Sequence, residues 1–152
     1  MEEIIKLPSF KLIGISVKTS NDGGKAGEDI AMLWKRFYEK GIMSLVPNKI
    51  SSEIYCLYTR YQSDHRGEYT CLLGCKVSSF DDVPSGCSSC EVPATSYLHY
   101  QTIGASPQNI VDTWERICAS DINRAYIADF DIYGSELSDP LSTVVDTYVS
   151  VR

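Results

Sequence analysis

Apolar and polar positions along the chain change period several times, and each change predicts an element. Phe10 to Thr19 (FKLIGISVKT) is apolar and β-branched and predicts a strand. Asn21-Asp22-Gly23-Gly24 breaks it as a loop. From Glu28 to Lys40, Ile30, Leu33, Trp34, Phe37 and Tyr38 share one face at helical spacing, and Gly41 supplies the stop. Ile54 to Tyr61 predicts a strand, Asp64-His65-Arg66-Gly67 a hairpin turn, and Tyr69 to Val77 the return strand. Phe80 to Pro93 holds Pro84, Gly86 and two cysteines and reads as a linker.

The same order then returns. Tyr97 to Gly104 predicts a strand, and Ser106-Pro107 opens a helix with proline at its first position. That helix carries Ile110, Trp114 and Ile117 on one face. Tyr126 to Tyr133 and Thr143 to Val151 predict the last two strands. The chain therefore reads strand–helix–strand–strand twice, over about 10–77 and 97–151. Each helix carries a tryptophan, and each second strand an apolar run ending in tyrosine: Leu57-Tyr58 and Ile132-Tyr133. Two positions before that tyrosine stand Cys56 in one half and Asp131 in the other. A duplicated unit too small to bury its own face implies two packed halves, with a ligand pocket expected between them.

Composition narrows the function. A length of 152 residues fits a single domain, 1–152, and 43% hydrophobic against 22% charged residues is an ordinary globular balance. Fourteen basic against twenty acidic residues leave a net charge of −6, which lacks the basic footprint of a direct nucleic-acid binder. No apolar run is long enough for a membrane helix and no export signal opens the chain, so a cytoplasmic protein is expected. In that compartment the six cysteines are expected reduced, with Cys56, Cys71 and Cys75 as small buried hydrophobes. Cys87-Ser88-Ser89-Cys90 has no second pair at zinc-site spacing, and neither metal nor cofactor is expected. Ten tyrosines outnumber four phenylalanines, although a buried tyrosine must find a partner for its hydroxyl.

Asp131 sharpens that surplus. By strand alternation Asp129, Asp131 and Tyr133 share one face, and Phe130 and Ile132 the other. Aspartate is depleted in strands, so two need a reason. Either the face is wet, or it lines a cavity with a carboxylate at its base. In the second case a bound cation offsets the cost of burial, and tyrosine faces add cation–π attraction. Tyr58, Tyr133 and Tyr148 are candidate walls because their strands should meet at the duplication axis, and Trp34 and Trp114 face inward as core or wall. Tyr38 follows Trp34 on its helix, and one of Tyr97 and Tyr100 must face in. Glu115 lies off the apolar face and is expected in solvent. His65 sits in a polar turn, and His99 on a strand has no evident acid or nucleophile partner. With no triad order and no phosphate loop, no catalytic residue is assigned.

Taken together, the motifs resemble a known family. Ile13-Gly14-Ile15-Ser16-Val17-Lys18-Thr19, Leu33-Trp34-Lys35-Arg36-Phe37 and Pro47-Asn48-Lys49-Ile50 are similar to the effector-binding domains of the GyrI-like family. So are Tyr58-Thr59, Tyr61, Asp64, Gly67, Tyr69-Thr70, Leu72, Gly74-Cys75 and Val77, then Val83-Pro84, Thr113-Trp114, Ile117 and Asp129 to Tyr133. The resemblance implies an α+β fold of the GyrI-like, SOUL type: a duplicated strand–helix–strand–strand unit with a curved antiparallel sheet and two helices. It also implies an aromatic pocket for lipophilic, often cationic compounds with an acid at its base. In AraC- and MerR-type multidrug-sensing regulators such a domain follows a DNA-binding module. The residues here resemble the free-standing form, found among regulator-like proteins and on integron gene cassettes. The family's pocket acid is usually glutamate in a Phe-Glu-x-Tyr pattern, whereas this chain has Phe130-Asp131-Ile132-Tyr133. One methylene shorter, Asp131 should deepen the pocket or be partly shielded.

The function expected is uptake of lipophilic cationic aromatic molecules, for sensing or sequestration in drug resistance, with Asp131 as the charge. Tyr58, Tyr133, Tyr148, Trp34, Tyr38, Trp114 and Tyr100 are the candidate walls. Two alternatives stand beside it. One is a hydrolase of reactive electrophilic natural products, in which Asp131 helps activate water. The other is a modulator of a protein partner, such as a gyrase inhibitor, working through the acidic surface.

Overall fold

The computed structural model describes residues 4–63, 67–103, 107–134 and 144–152. Eight strands form one antiparallel sheet: β1 (Ile4–Leu7), β2 (Phe10–Ser20), β3 (Ile54–Thr59), β4 (Glu68–Val77), β5 (Ser88–Val92), β6 (Thr95–Ile103), β7 (Ala128–Tyr133) and β8 (Val144–Val151). Among the described residues three α-helices accompany them: α1 (Lys25–Glu39), α2 (Ile42–Leu45) and α3 (Pro107–Ala119). The α+β class and curved antiparallel sheet expected from the sequence are present.

The strand order is β1-β6-β8-β7-β3-β4-β2-β5. It reads alike from both sides of the β3–β7 seam, with β4 and β2 outside β3, and β8 and β6 outside β7. Helix α1 links β2 to β3, and α3 links β6 to β7. The outermost strands are exchanged, since β1 pairs with β6 and β5 with β2. Each half thus closes an edge of the other, and an unpaired edge is what an antiparallel sheet must cover.

Three elements differ from the sequence expectation. Strand β5 lies in the segment that reads as a linker, because Ser88-Ser89-Cys90-Glu91-Val92 is short and polar, as an edge strand can be. Strand β1 has no counterpart in the expected order. Helix α2 is a third helix: Gly41, at φ 59°, ends α1 and lets the chain turn at once into another helical turn. The expected turn residues Asp64, His65 and Arg66, together with Gly104, Ser106 and Thr143, fall outside the described residues.

Two apolar cores follow from strand alternation. Beneath the helices lie Ile13, Ile15, Leu73, Val77 and Val145, with Leu33 and Phe37 of α1 pressed on them. Each fully buried side chain of that size stabilises the fold by about 1.5–3 kcal/mol. The opposite face curls around Leu12, Leu57, Leu72, Tyr97 and Phe130. Gly14 and Gly74 stand opposite each other on β2 and β4, where a Cβ on Gly14 would lie 2.1 Å from the Leu73 carbonyl oxygen. Only glycine admits that approach. Cys56, Cys71 and Cys75 are free and buried. Cys87 packs on the helix-side core and Cys90 on the opposite one, so the two thiols diverge. Among the described residues, no helix is long and apolar enough to cross a membrane.

Candidate functional site

A cavity of about 980 Å³ opens between α1 and α3, above the β3–β7 seam. Helix α1 leaves room for it because Gly27, Ala26 and Ala31 face it with little or no side chain. Helix α3 is pinned to β6 by a hydrogen bond between the hydroxyls of Thr113 and Thr102, and it turns Ile110 and Trp114 inward. Two aromatic corners cross the seam. Trp34 of the first half packs edge-on against Tyr133 of the second, at 4.8 Å between ring centres and 78° between planes. Trp114 of the second half meets Tyr58 of the first at 5.3 Å, also at 78°. All four rings line the cavity. Edge-to-face pairs of this kind contribute beyond their buried area and hold each ring in one orientation.

Asp131 lies directly beneath, at 0% exposure. Tyr58 donates its hydroxyl proton to Oδ2 at 3.0 Å and Trp114 donates Nε1–H to the same oxygen at 3.1 Å. Thr147 of β8 donates to Oδ1 in a short hydrogen bond. Cys56, directly opposite Asp131 in the register, donates its thiol proton to the Tyr58 oxygen at 3.3 Å. Burial pushes the Asp131 carboxyl up to about 6, and the three hydrogen bonds only partly oppose that. Burial, together with the negative charge of Asp131, raises the hydroxyls of Tyr58 and Tyr133 well above the usual tyrosine range. Among the described residues Asp131 has no ion-pair partner. The acid is therefore shielded: it acts on the cavity through Tyr58 and Trp114, not by touching its contents. Asp131 itself is not among the residues that line the cavity, whereas the hydrolase alternative requires it to activate water there.

The neighbouring acid on the same face is in a different state. Asp129, also at 0% exposure, accepts from Arg124 Nη2 at 2.8 Å and from the Ser150 amide and hydroxyl at 2.8 and 3.1 Å. Tyr61 adds a short hydrogen bond. Burial works against the Arg124 charge, but Asp129 outweighs it and raises the guanidinium further. Asp129 is thus a buried carboxylate with a fixed cation, whereas Asp131 is one without.

The structure brings together five of the eight residues singled out from sequence: Asp131 below, and Tyr58, Tyr133, Trp34 and Trp114 around the cavity. Three others stand elsewhere. Tyr148 pairs in register with Phe130 and stacks on that ring at 5.0 Å, so it belongs to the opposite face; Thr147 is the residue of β8 that points to Asp131. Tyr38 is 58% exposed on the outer side of α1, stacked on Trp34 at 6.0 Å. Tyr100 pairs with Thr147 on the helix-covered face, one strand further from the seam, and does not line the cavity. Of the Tyr97 and Tyr100 alternatives, Tyr97 is the buried one, in the opposite core. Glu115 is exposed, as expected, yet reaches the cavity rim. His99 does have an acid partner, Asp146 at 2.8 Å, on the face away from the cavity.

Sequence reasoning missed Tyr61, Tyr69, Cys118 and Arg124, all in the cavity wall, and Thr147 beneath it. Tyr61 and Tyr69 flank the turn between β3 and β4, and their position there was the available signal. Arg124 lies in an aperiodic segment that carries no pattern to read.

Comparison with known proteins agrees with this architecture. The chain is 26% identical over 155 residues to YobU, a regulator-like protein of Bacillus subtilis (strain 168), with 98% of this chain and 96% of that one covered. An integron cassette protein from the mobile metagenome of Vibrio cholerae superposes with a TM-score of 0.77 at 25% identity, covering 99% of this chain and 95% of its own. SAV2435, in a structure bound to tetraphenylphosphonium, superposes with a TM-score of 0.83 at 17% identity, covering 100% and 94%. The family model of integron-associated effector-binding proteins matches residues 3–151, and the chain belongs to that family, Cass2.

Proposed function

We propose that the protein takes up lipophilic, cationic aromatic molecules in the cavity between α1 and α3, for sensing or sequestration. One observation carries the reading. A buried carboxylate with no cation of its own hydrogen-bonds to Tyr58 and Trp114, two rings that wall the cavity. A hydrogen bond to a carboxylate makes a ring's donor group more negative, and aromatic faces attract cations by about 0.5–2 kcal/mol each when desolvated. A flat or propeller-shaped cation placed on those faces supplies the positive charge that Asp131 lacks, without displacing its hydrogen bonds. The tetraphenylphosphonium bound by SAV2435 belongs to this chemical class.

Titration with a cationic dye such as rhodamine 6G should quench the fluorescence of Trp34 and Trp114. Asp131→Asn should weaken cation binding by about tenfold and leave a neutral ligand of similar shape unaffected. Equal affinity of the variant and the wild type for the cation would remove Asp131 from the reading.

A further inference from the structure

Arg124 forms part of the cavity wall, and the donors of its guanidinium are only partly matched among the described residues. The residue is 7% exposed. Nη2 donates to Asp129 at 2.8 Å, whereas Nη1 meets, among the described residues, the sulfur of Cys118, 3.8 Å away and itself in the wall. The Nε–H is buried and meets no acceptor among the described residues. A guanidinium carries five N–H donors, and thiol sulfur is a weak acceptor. An unmatched buried donor on a charged group is costly, and native structures hold few of them. Asp129 offers little further capacity, since Tyr61 and both groups of Ser150 already donate to it. Two rings hold the guanidinium in position, Tyr126 at 4.4 Å and Trp114 at 5.8 Å. Tyr126 does so with φ at 53°, a left-handed conformation that a bulky side chain rarely adopts and that tends to persist where a site requires it.

We infer that Arg124 is a second subsite of the same cavity, which donates to an acceptor oxygen of the ligand as the Cys118 sulfur gives way. The inference rests on the cation-binding reading and narrows its ligand class to lipophilic cations that also carry a neutral carbonyl or ester oxygen. A full anion fits less well. Asp129 already balances the Arg124 charge, and Glu115 at the rim and Asp131 beneath the floor add negative charge around the cavity.

Two dyes with the same xanthylium cation test it: tetramethylrosamine, which has no ester, and tetramethylrhodamine methyl ester. Fluorescence anisotropy with the wild-type protein should show the ester bound about tenfold more tightly, the worth of one charge-assisted hydrogen bond. Arg124→Lys keeps a cation beside Asp129 but loses the fork, and should bring the ester's affinity to that of the rosamine. Asp131→Asn should weaken both dyes alike. Equal affinity of the two dyes for the wild type overturns the subsite and leaves the cation reading standing. A loss in Arg124→Lys shared equally by both dyes also overturns it. Failure of both dyes to bind the wild type overturns both readings. If Arg124→Lys does not fold, the wild-type dye pair decides alone.

Discussion

Two aromatic corners join the halves: Tyr58 of the first packs edge-on against Trp114 of the second, and Tyr133 of the second against Trp34 of the first, at nearly the same spacing and the same 78° angle. Beneath the corners the halves part company: the position two before the tyrosine is Cys56 in one and Asp131 in the other. The register gives the reason. The seam lies between β3 and β7, and its antiparallel register brings one equivalent pair face to face: Cys56 stands directly opposite Asp131, whereas Tyr58 and Tyr133 stand opposite Asp129 and Ile54. Opposed side chains on neighbouring strands lie about 4.5–5.5 Å apart at Cβ, where two buried carboxylates repel strongly. A duplicated cavity built this way can keep its aromatic walls twice but its acid only once. The thiol is a small neighbour that adds no second carboxylate beside Asp131, and it donates to the Tyr58 oxygen that in turn donates to Asp131.

Giving the first half its own acid should have the largest effect. Cys56→Asp should cost about 3–5 kcal/mol in urea unfolding at pH 7.5, the range for an uncompensated buried charge. Much of that loss should be regained below pH 5 as carboxyls protonate. A loss under about 1 kcal/mol would mean the two positions do not share one buried environment.

The pH response separates the halves next. Burial raises Asp131 to about 6 in the folded chain, above its ordinary value. Its contribution to stability is therefore fully present below about pH 4 and is lost as pH rises through 6, a change of about 3 kcal/mol. Cation affinity runs the other way, because the cation favours the ionised acid, and should rise by about tenfold from pH 5 to 7.5. Asp131→Asn should flatten both slopes. A wild-type affinity that does not change over that range would sink the charge role.

Paired substitutions in the two tryptophans sharpen the comparison further. Trp114→Phe removes a donor from Asp131 and should cost about 1–2 kcal/mol, moving the midpoint of the affinity–pH curve upward. Trp34→Phe keeps a ring beside Tyr133, and the midpoint should stay where it is. The smallest effect is expected at Tyr148→Phe, on the opposite face, where ligand affinity should change by less than about twofold.

Much of this arrangement was legible in the chain. Alternation over Asp129-Phe130-Asp131-Ile132-Tyr133 put both acids and Tyr133 on one face, where they are found. The shared pattern of Trp34 with Tyr58 and Trp114 with Tyr133 marked the four rings of the cavity. Tyr148 shows the limit. Period two states that alternate residues of β8 share a face, but not which set faces Asp131; that depends on the pairing register, and here Thr147 occupies the place. Tyr38 shows another, because a broad apolar face on α1 extends past the stripe that the sheet covers.

The two acids mark where sequence ends and structure begins. Local pattern alone determined six of the eight described strands, all but β1 and β5, the two long helices, their repeated order and a carboxylate face among tyrosines, because these follow from the periods of neighbouring residues. It picked Asp131 by its place before Tyr133, but it did not show how the environment of Asp131 differs from that of Asp129, two positions away on one strand with the same chemistry. Tertiary structure decided that by bringing Arg124 from an aperiodic segment against Asp129 and, among the described residues, the neutral donors Tyr58, Trp114 and Thr147 against Asp131. The charge available to a ligand is set by which partners reach each carboxylate through space, and the order of residues along the chain does not encode that locally.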